Sequence, residues 1–114
     1  MREVIYYRTE AGDKPVKEFL DSLSGKHAQK IVWVLGLVED LTIVPRQYFK
    51  KLVGTDDIWE VRVDSGSDTF RLLGFFDKGN LIVLTNGFAK KSDKTRRNEI
   101  MTAEARKKDW LNRK

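Results

Sequence analysis

The chain has 114 residues, no cysteine, and a formal charge of +5 from 22 Lys+Arg against 17 Asp+Glu. That length predicts one domain over residues 1–114 with a single core, and the lack of cysteine excludes a disulfide framework or a thiolate metal site. No apolar run approaches the roughly 18 residues of a membrane span, and Met1 leads into a strand-like run rather than a signal pattern, so the expected location is the cytoplasm, with no membrane partner.

The basic excess favours a polyanionic partner, and its distribution sharpens the point. Residues 90–114 hold ten basic side chains against four acidic ones, more than the whole molecular surplus.

Residues 2–8 read as a first strand. Asp13-Lys14-Pro15 reads as a helix start, with Asp as cap and Pro in the first turn. Val16, Phe19, Leu20 and Leu23 then follow at i, i+3, i+4 and i+7, the stripe of a short amphipathic helix that breaks at Ser24 or Gly25. A second helix is predicted from about Lys26 to Ile43, with Ala28, Ile31, Val32, Leu35, Val38 and Leu41 on one face. Trp33, Val34 and Leu37 widen that arc, which calls for core burial or a protein partner. Pro45 ends the helix. Tyr48–Leu52 is a short basic strand or loop carrying Lys50 and Lys51.

From Ile58 onward, three β-prone runs are separated by Asp-Ser-Gly-Ser-Asp (64–68) and Asp-Lys-Gly-Asn (77–80), the pattern of consecutive hairpins. A two-residue Gly66-Ser67 loop pairs Val63 with Phe70, Val61 with Leu72, Trp59 with Gly74, and Arg62 with Arg71. A two-residue Lys78-Gly79 loop brings Asn86 beside Arg71 and Phe88 beside Thr69. It also places Ile82 and Leu84 on the same face as Leu73 and Phe75. Like charges directly opposite destabilise a strand pair. A sheet that keeps Arg62 across from Arg71 is therefore a candidate anion site, unless each arginine pairs with a carboxylate such as Glu60. After Phe88 a basic segment enters a C-terminal helix capped near Thr95, whose apolar positions are Ile100, Ala103, Trp110 and Leu111. The resulting β-α-α-β-β-β-α order is an α+β class, a mainly antiparallel sheet with flanking helices.

Absences prune the chemistry. His27 is the one histidine and reads as a solvated residue, so a two-histidine nuclease, a histidine metal cluster and a Ser-His-Asp triad all lack their parts. No Gly-rich phosphate loop occurs, and no metal site or cofactor is expected. Cations and aromatics remain: Arg62, Arg71, Lys50, Lys51, Lys90, Lys91 and Lys94, with Asn86 and Phe88. RNA can be cut without metal when its own 2′-OH attacks the adjacent phosphate. The protein then supplies in-line geometry, charge stabilisation and proton transfer. Arginine suits the second task because its planar fork grips phosphate and stays charged. A lysine whose pKa is lowered by neighbouring cations suits the third. An aromatic ring such as Phe88 can stack on an unpaired base.

Trp59-Glu60-Val61-Arg62, Phe70-Arg71-Leu72-Leu73, Gly87-Phe88-Ala89-Lys90-Lys91, Lys94-Thr95 and Glu99-Ile100 together resemble the phage-derived branch of the RelE/HigB toxins. The resemblance spans nearly the whole chain in element order. It implies the compact RelE-like fold and a ribosome-dependent mRNA endonuclease of a type II toxin–antitoxin system. Such a protein inhibits translation by cutting mRNA in the ribosomal A site and is neutralised by a cognate antitoxin, expected to carry a helix-turn-helix DNA-binding domain. By this likeness Arg62 and Arg71 take the phosphate-stabilising role and Phe88 the aromatic position. Lys90, Lys91 and Lys94 take the basic tail, with Lys90 as the candidate for proton transfer. Asn86, Lys50 and Lys51 complete the expected RNA-binding set. One departure stands out: Arg96 occupies a position where the family often has proline. The competing readings are a non-catalytic RNA- or ribosome-binding module on the same basic face, and a regulatory protein acting through Trp33, Val34 and Leu37.

Overall fold

The computed structural model describes residues 1–114. Five strands and three helices follow one another as β1 (Glu3–Tyr6), α1 (Pro15–Asp21), α2 (Gly25–Asp40), β2 (Phe49–Lys51), β3 (Trp59–Ser65), β4 (Asp68–Asp77), β5 (Leu81–Ala89) and α3 (Asp93–Asn112). The sheet order is β1-β5-β4-β3-β2. All neighbours are antiparallel except β1, which returns beside β5 in parallel. The α+β class stands. The sheet is mixed, and the short basic segment before Ile58 joins it as the edge strand β2.

The two sheet faces have different covers. On one, Val61, Val63, Phe70, Leu72, Ile82 and Leu84 pack against Val16 of α1 and Ile31, Val34, Leu35 and Val38 of α2. On the other, Leu73 and Phe88 meet Ile100 and Ala103 of α3, while Phe75 and Val83 meet Tyr7 and Trp110. A sheet covered on both sides buries successive residues of its central strands, which is why β4 and β5 are apolar almost throughout.

The β3–β4 hairpin has the predicted register: Val63 faces Phe70, Val61 faces Leu72, and Arg62 faces Arg71. Gly66 holds φ +65° at the first turn position, where a type II′ loop needs a left-handed residue. The next hairpin departs twice from expectation. Its loop has three residues rather than two, since Asp77 pairs with Leu81, and a bulge then leaves Thr85 unpaired, so that Gly74 faces Leu84 while Leu73 faces Asn86.

Each change shifts the register by one residue. Between the two, β5 is flipped relative to the prediction: Ile82 and Leu84 join the face covered by α1 and α2, and Val83 takes the place beside Phe75. Beyond the bulge the two slips cancel in facing. Asn86 and Phe88 therefore do share a face with Arg71, although Phe88 is opposite Arg71 and Asn86 opposite Leu73.

Helix boundaries also move. Lys14, not Asp13, is the first cap of α1, with no side-chain bond; Asp13 instead closes a turn with Thr9. Ser24 caps α2, which ends at Asp40. There Arg2 takes over the terminal carbonyls, donating to Val38 O at 3.1 Å, Leu41 O at 2.6 Å and Thr42 O at 3.1 Å. Val34 is fully buried, whereas Val32 and Trp33 are about half exposed, at 54% and 53%. The core stripe of α2 thus includes Val34 and excludes Val32. The indole of Trp33 meets Tyr48 edge-on at 6.3 Å.

Candidate active site

The α3-covered face of β3, β4 and β5 gathers the charge. Four charged or polar strand residues, Glu60, Arg62, Arg71 and Asn86, alternate onto it. Helix α3 closes over them. Ser92 caps it, accepting from Thr95 N at 3.2 Å, so the helix begins two residues before the predicted cap. Its first sheet-facing residue is then Arg96, with Glu99, Ile100 and Ala103 following at i+3, i+4 and i+7.

Glu60 is the centre of the cluster. Only 1% exposed, its carboxylate lies among three guanidiniums: Oε1 is 3.7 Å from Arg62 Nε and 3.8 Å from Arg71 Nε, and Oε2 is 3.5 Å from Arg96 Nε. These are ion pairs at longer than hydrogen-bond range. Glu60 Oε2 and Arg62 Nε are buried without a hydrogen bond. The Glu60 pairing that the sequence offered as the alternative is therefore present, but as one carboxylate shared among three cations. A surplus of positive charge remains.

The arginines differ in access. The Arg71 side chain is 6% exposed, against 35% for Arg62 and 32% for Arg96. Arg71 donates from one terminal nitrogen to Phe70 O at 3.0 Å and lies 3.9 Å from Asp64. Burial pulls its pKa below the usual arginine range; Glu60 and Asp64 oppose that shift, while Arg62 and Arg96 add to it. Asn86 donates to Glu99 Oε1 at 2.8 Å and to Glu99 O at 3.1 Å, pinning α3 to β5.

Several expected roles change on this geometry. Phe88 is 6% exposed in the cluster with Leu52, Ile58, Leu73 and Ala103, so its ring is core and is not available to stack on a base. Lys51 pairs with Asp57 at 2.8 Å and stands opposite Trp59, on the other face of the sheet. Lys50, opposite Glu60, is on the face of the cluster. Lys90 follows β5, its backbone N–H bound to Thr69 O at 2.9 Å and its side chain exposed. Lys91 and Lys94 are exposed on either side of the Ser92 cap. Of the predicted set, Arg62, Arg71, Asn86 and Lys50 are brought together at the cluster. Lys90, Lys91 and Lys94 are exposed in the segment between β5 and the first turn of α3, and Lys51 is separate.

Two contributors were not foreseen. Arg96 lay hidden in a helix whose register against the sheet is not a local property of sequence. His27 is not solvated: its Nδ1 is 2.9 Å from Ser65 Oγ and its Nε2 3.1 Å from Asp68 Oδ2. A serine, a histidine and an aspartate do meet here, contrary to expectation. They clamp the β3–β4 turn to the first turn of α2, on the side of the sheet away from the arginines, with the imidazole 5.1 Å from the Phe70 ring.

The fold and the cluster together define a small α+β protein with a cationic, helix-covered sheet face. A family model described as "Phage derived protein Gp49-like (DUF891)" matches residues 18–108, and the chain belongs to this Gp49-like family. The family is associated with toxin–antitoxin systems. No curated protein matches the chain.

Proposed function

We propose that the protein is a RelE/HigB-like toxin, a ribosome-dependent endoribonuclease that inhibits translation by cutting mRNA in the A site. The observation that carries this reading is the surplus of guanidinium charge around the single buried carboxylate of Glu60. Arginines held in place before substrate arrives act on charge that develops during reaction, without reorganising. The 2′-OH attacks the adjacent phosphorus, the P–O5′ bond breaks, and a 2′,3′-cyclic phosphate and a 5′-OH result. The arginine cluster stabilises the phosphorane, and Lys90, exposed just past β5, is the proposed proton-transfer group, taking the proton of the 2′-OH and returning one to the leaving 5′ oxygen. Lys50, Lys91 and Lys94 hold flanking phosphates. The proposed setting is the cytoplasm, and the proposed regulator is a cognate antitoxin, expected to carry a helix-turn-helix domain.

Induced expression tests this directly. The wild type is expected to arrest growth and to create new mRNA 5′ ends. The Arg62→Ala/Arg71→Ala double variant, shown by circular dichroism to be folded, is expected to do neither. A folded double variant that still cuts mRNA refutes the site. The burial of Phe88 and Arg71 favours a second reading, a non-catalytic ribosome-binding module; growth arrest with no new 5′ ends would establish it instead.

A further inference from the structure

The three arginines around Glu60 present different atoms to solvent. All three meet the carboxylate through Nε. For Arg71 one terminal nitrogen is also taken, Nη1 donating to Phe70 O at 3.0 Å and lying 3.9 Å from Asp64, and the side chain is buried. Arg62 and Arg96 are each about one-third exposed, and their terminal nitrogens make no hydrogen bond within the protein. A guanidinium tethered by Nε leaves its two terminal N–H groups as a fork suited to two phosphate oxygens. The buried Glu60 carboxylate is the anchor that aims both forks, Arg62 from Oε1 and Arg96 from Oε2.

We propose that the guanidiniums gripping the RNA phosphate are Arg62 and Arg96, one from the sheet and one from α3, with Glu60 and the buried Arg71 as positioning residues beneath them. The inference rests on the endoribonuclease reading and divides its labour differently: Arg71 acts through Glu60, and the second phosphate-binding arginine is supplied by the helix. Binding one phosphate between the two elements also ties the start of α3 to β3. Asn86 already holds Glu99 one turn further along.

The test uses ribosomes programmed with an mRNA whose A-site codon is 2′-O-methylated, so that binding is measured without cleavage, and unmodified mRNA for cleavage. Arg96→Ala is expected to lower cleavage about 100-fold, the usual loss on removing one preorganised donor. It is also expected to reduce the slope of log K against log[salt] by about 0.7, one single-strand phosphate contact. Arg96→Lys keeps the charge but loses the fork, and is expected to retain the slope with cleavage still reduced about tenfold. Arg97→Ala, an equal loss of charge on an exposed neighbour, is expected to cleave within about twofold of wild type, as surface charge changes usually do.

If Arg96→Ala and Arg96→Lys both cleave and bind like the wild type while Arg62→Ala/Arg71→Ala is inactive, Arg96 only neutralises Glu60 and this proposal fails alone. If the double variant is itself active, the reading beneath it fails. Should Arg96→Ala prove unfolded, Arg96→Lys decides: full activity overturns the proposal.

Discussion

Glu60 is where the stability of this protein and its proposed activity meet. A carboxylate removed from water costs several kcal/mol unless compensated, and removing one partner of a buried charge group is more damaging than never having built it. Replacing Glu60 with Gln leaves Arg71 buried without its principal counter-charge. Glu60→Gln is expected to lower unfolding stability by about 3 kcal/mol, read from the midpoint of a urea titration at unchanged slope. Its importance was only half visible in the sequence. Alternation between Trp59 and Val61 puts Glu60 on the face of Arg62, but nothing local says that a helix starting at Asp93 will cover that face. The glycines are similarly mute until the fold is known. A Cβ on Gly74 would lie 2.5 Å from the Val83 carbonyl oxygen, so Gly74→Ala is expected to cost about 1–3 kcal/mol through forced backbone displacement, read in the same titration.

At the scale of the element, α3 is the informative one. Its apolar stripe is narrow, and much of its attachment is polar: Asn86 to Glu99 near the start, Arg106 to the Thr85 carbonyl at 2.9 Å in the middle, and Asp77 to Trp110 and Lys114 at the end. The sequence revealed the apolar half of this attachment, because Ile100, Ala103 and Trp110 follow helical spacing. The polar half was not legible. It depends on partners in β4 and β5 whose positions are set by the Thr85 bulge.

The last of these contacts carries a pH dependence. Lys114, then Trp110, hold the Asp77 carboxyl below the usual aspartate range, outweighing its burial. A depressed folded-state pKa contributes stability that is present above the unfolded value, near 3.9, and is lost as pH falls through the folded one. Amide protection in residues 105–112 is therefore expected to drop as the pH is taken below about 4. In Asp77→Asn that step should be absent, with protection already low at pH 6. Equal protection profiles for the two proteins would show that the contact contributes nothing.

Over the whole molecule, the arginine cluster and the exposed apolar patch of α2 lie on opposite sides of the sheet. The arginine cluster lies beneath the start of α3, on one side of the sheet. The exposed Val32 and Trp33 belong to α2, on the other. The sequence showed both halves of this division as a basic C-terminal quarter and an over-wide apolar arc on α2. The hairpin register, which decides that Arg62 and Arg71 face the same way, was readable from the two-residue Gly66-Ser67 loop and the apolar pairs it makes, Val63 with Phe70 and Val61 with Leu72.

The unpaired Thr85 has one more implication, concerning chain length. Because Leu84 already pairs with Gly74 and Asn86 with Leu73, taking it out would close the ladder with Phe88 still opposite Arg71, whereas a residue added after Asn86 would bring a Cβ into the place of Gly87, 2.6 Å from the Phe19 ring. The exposed bend at 78–80 projects from the sheet, and a residue gained or lost there need not disturb the strands on either side. Homologous chains are therefore expected to vary in length at the bend, and to hold the spacing from Asn86 to Phe88 invariant.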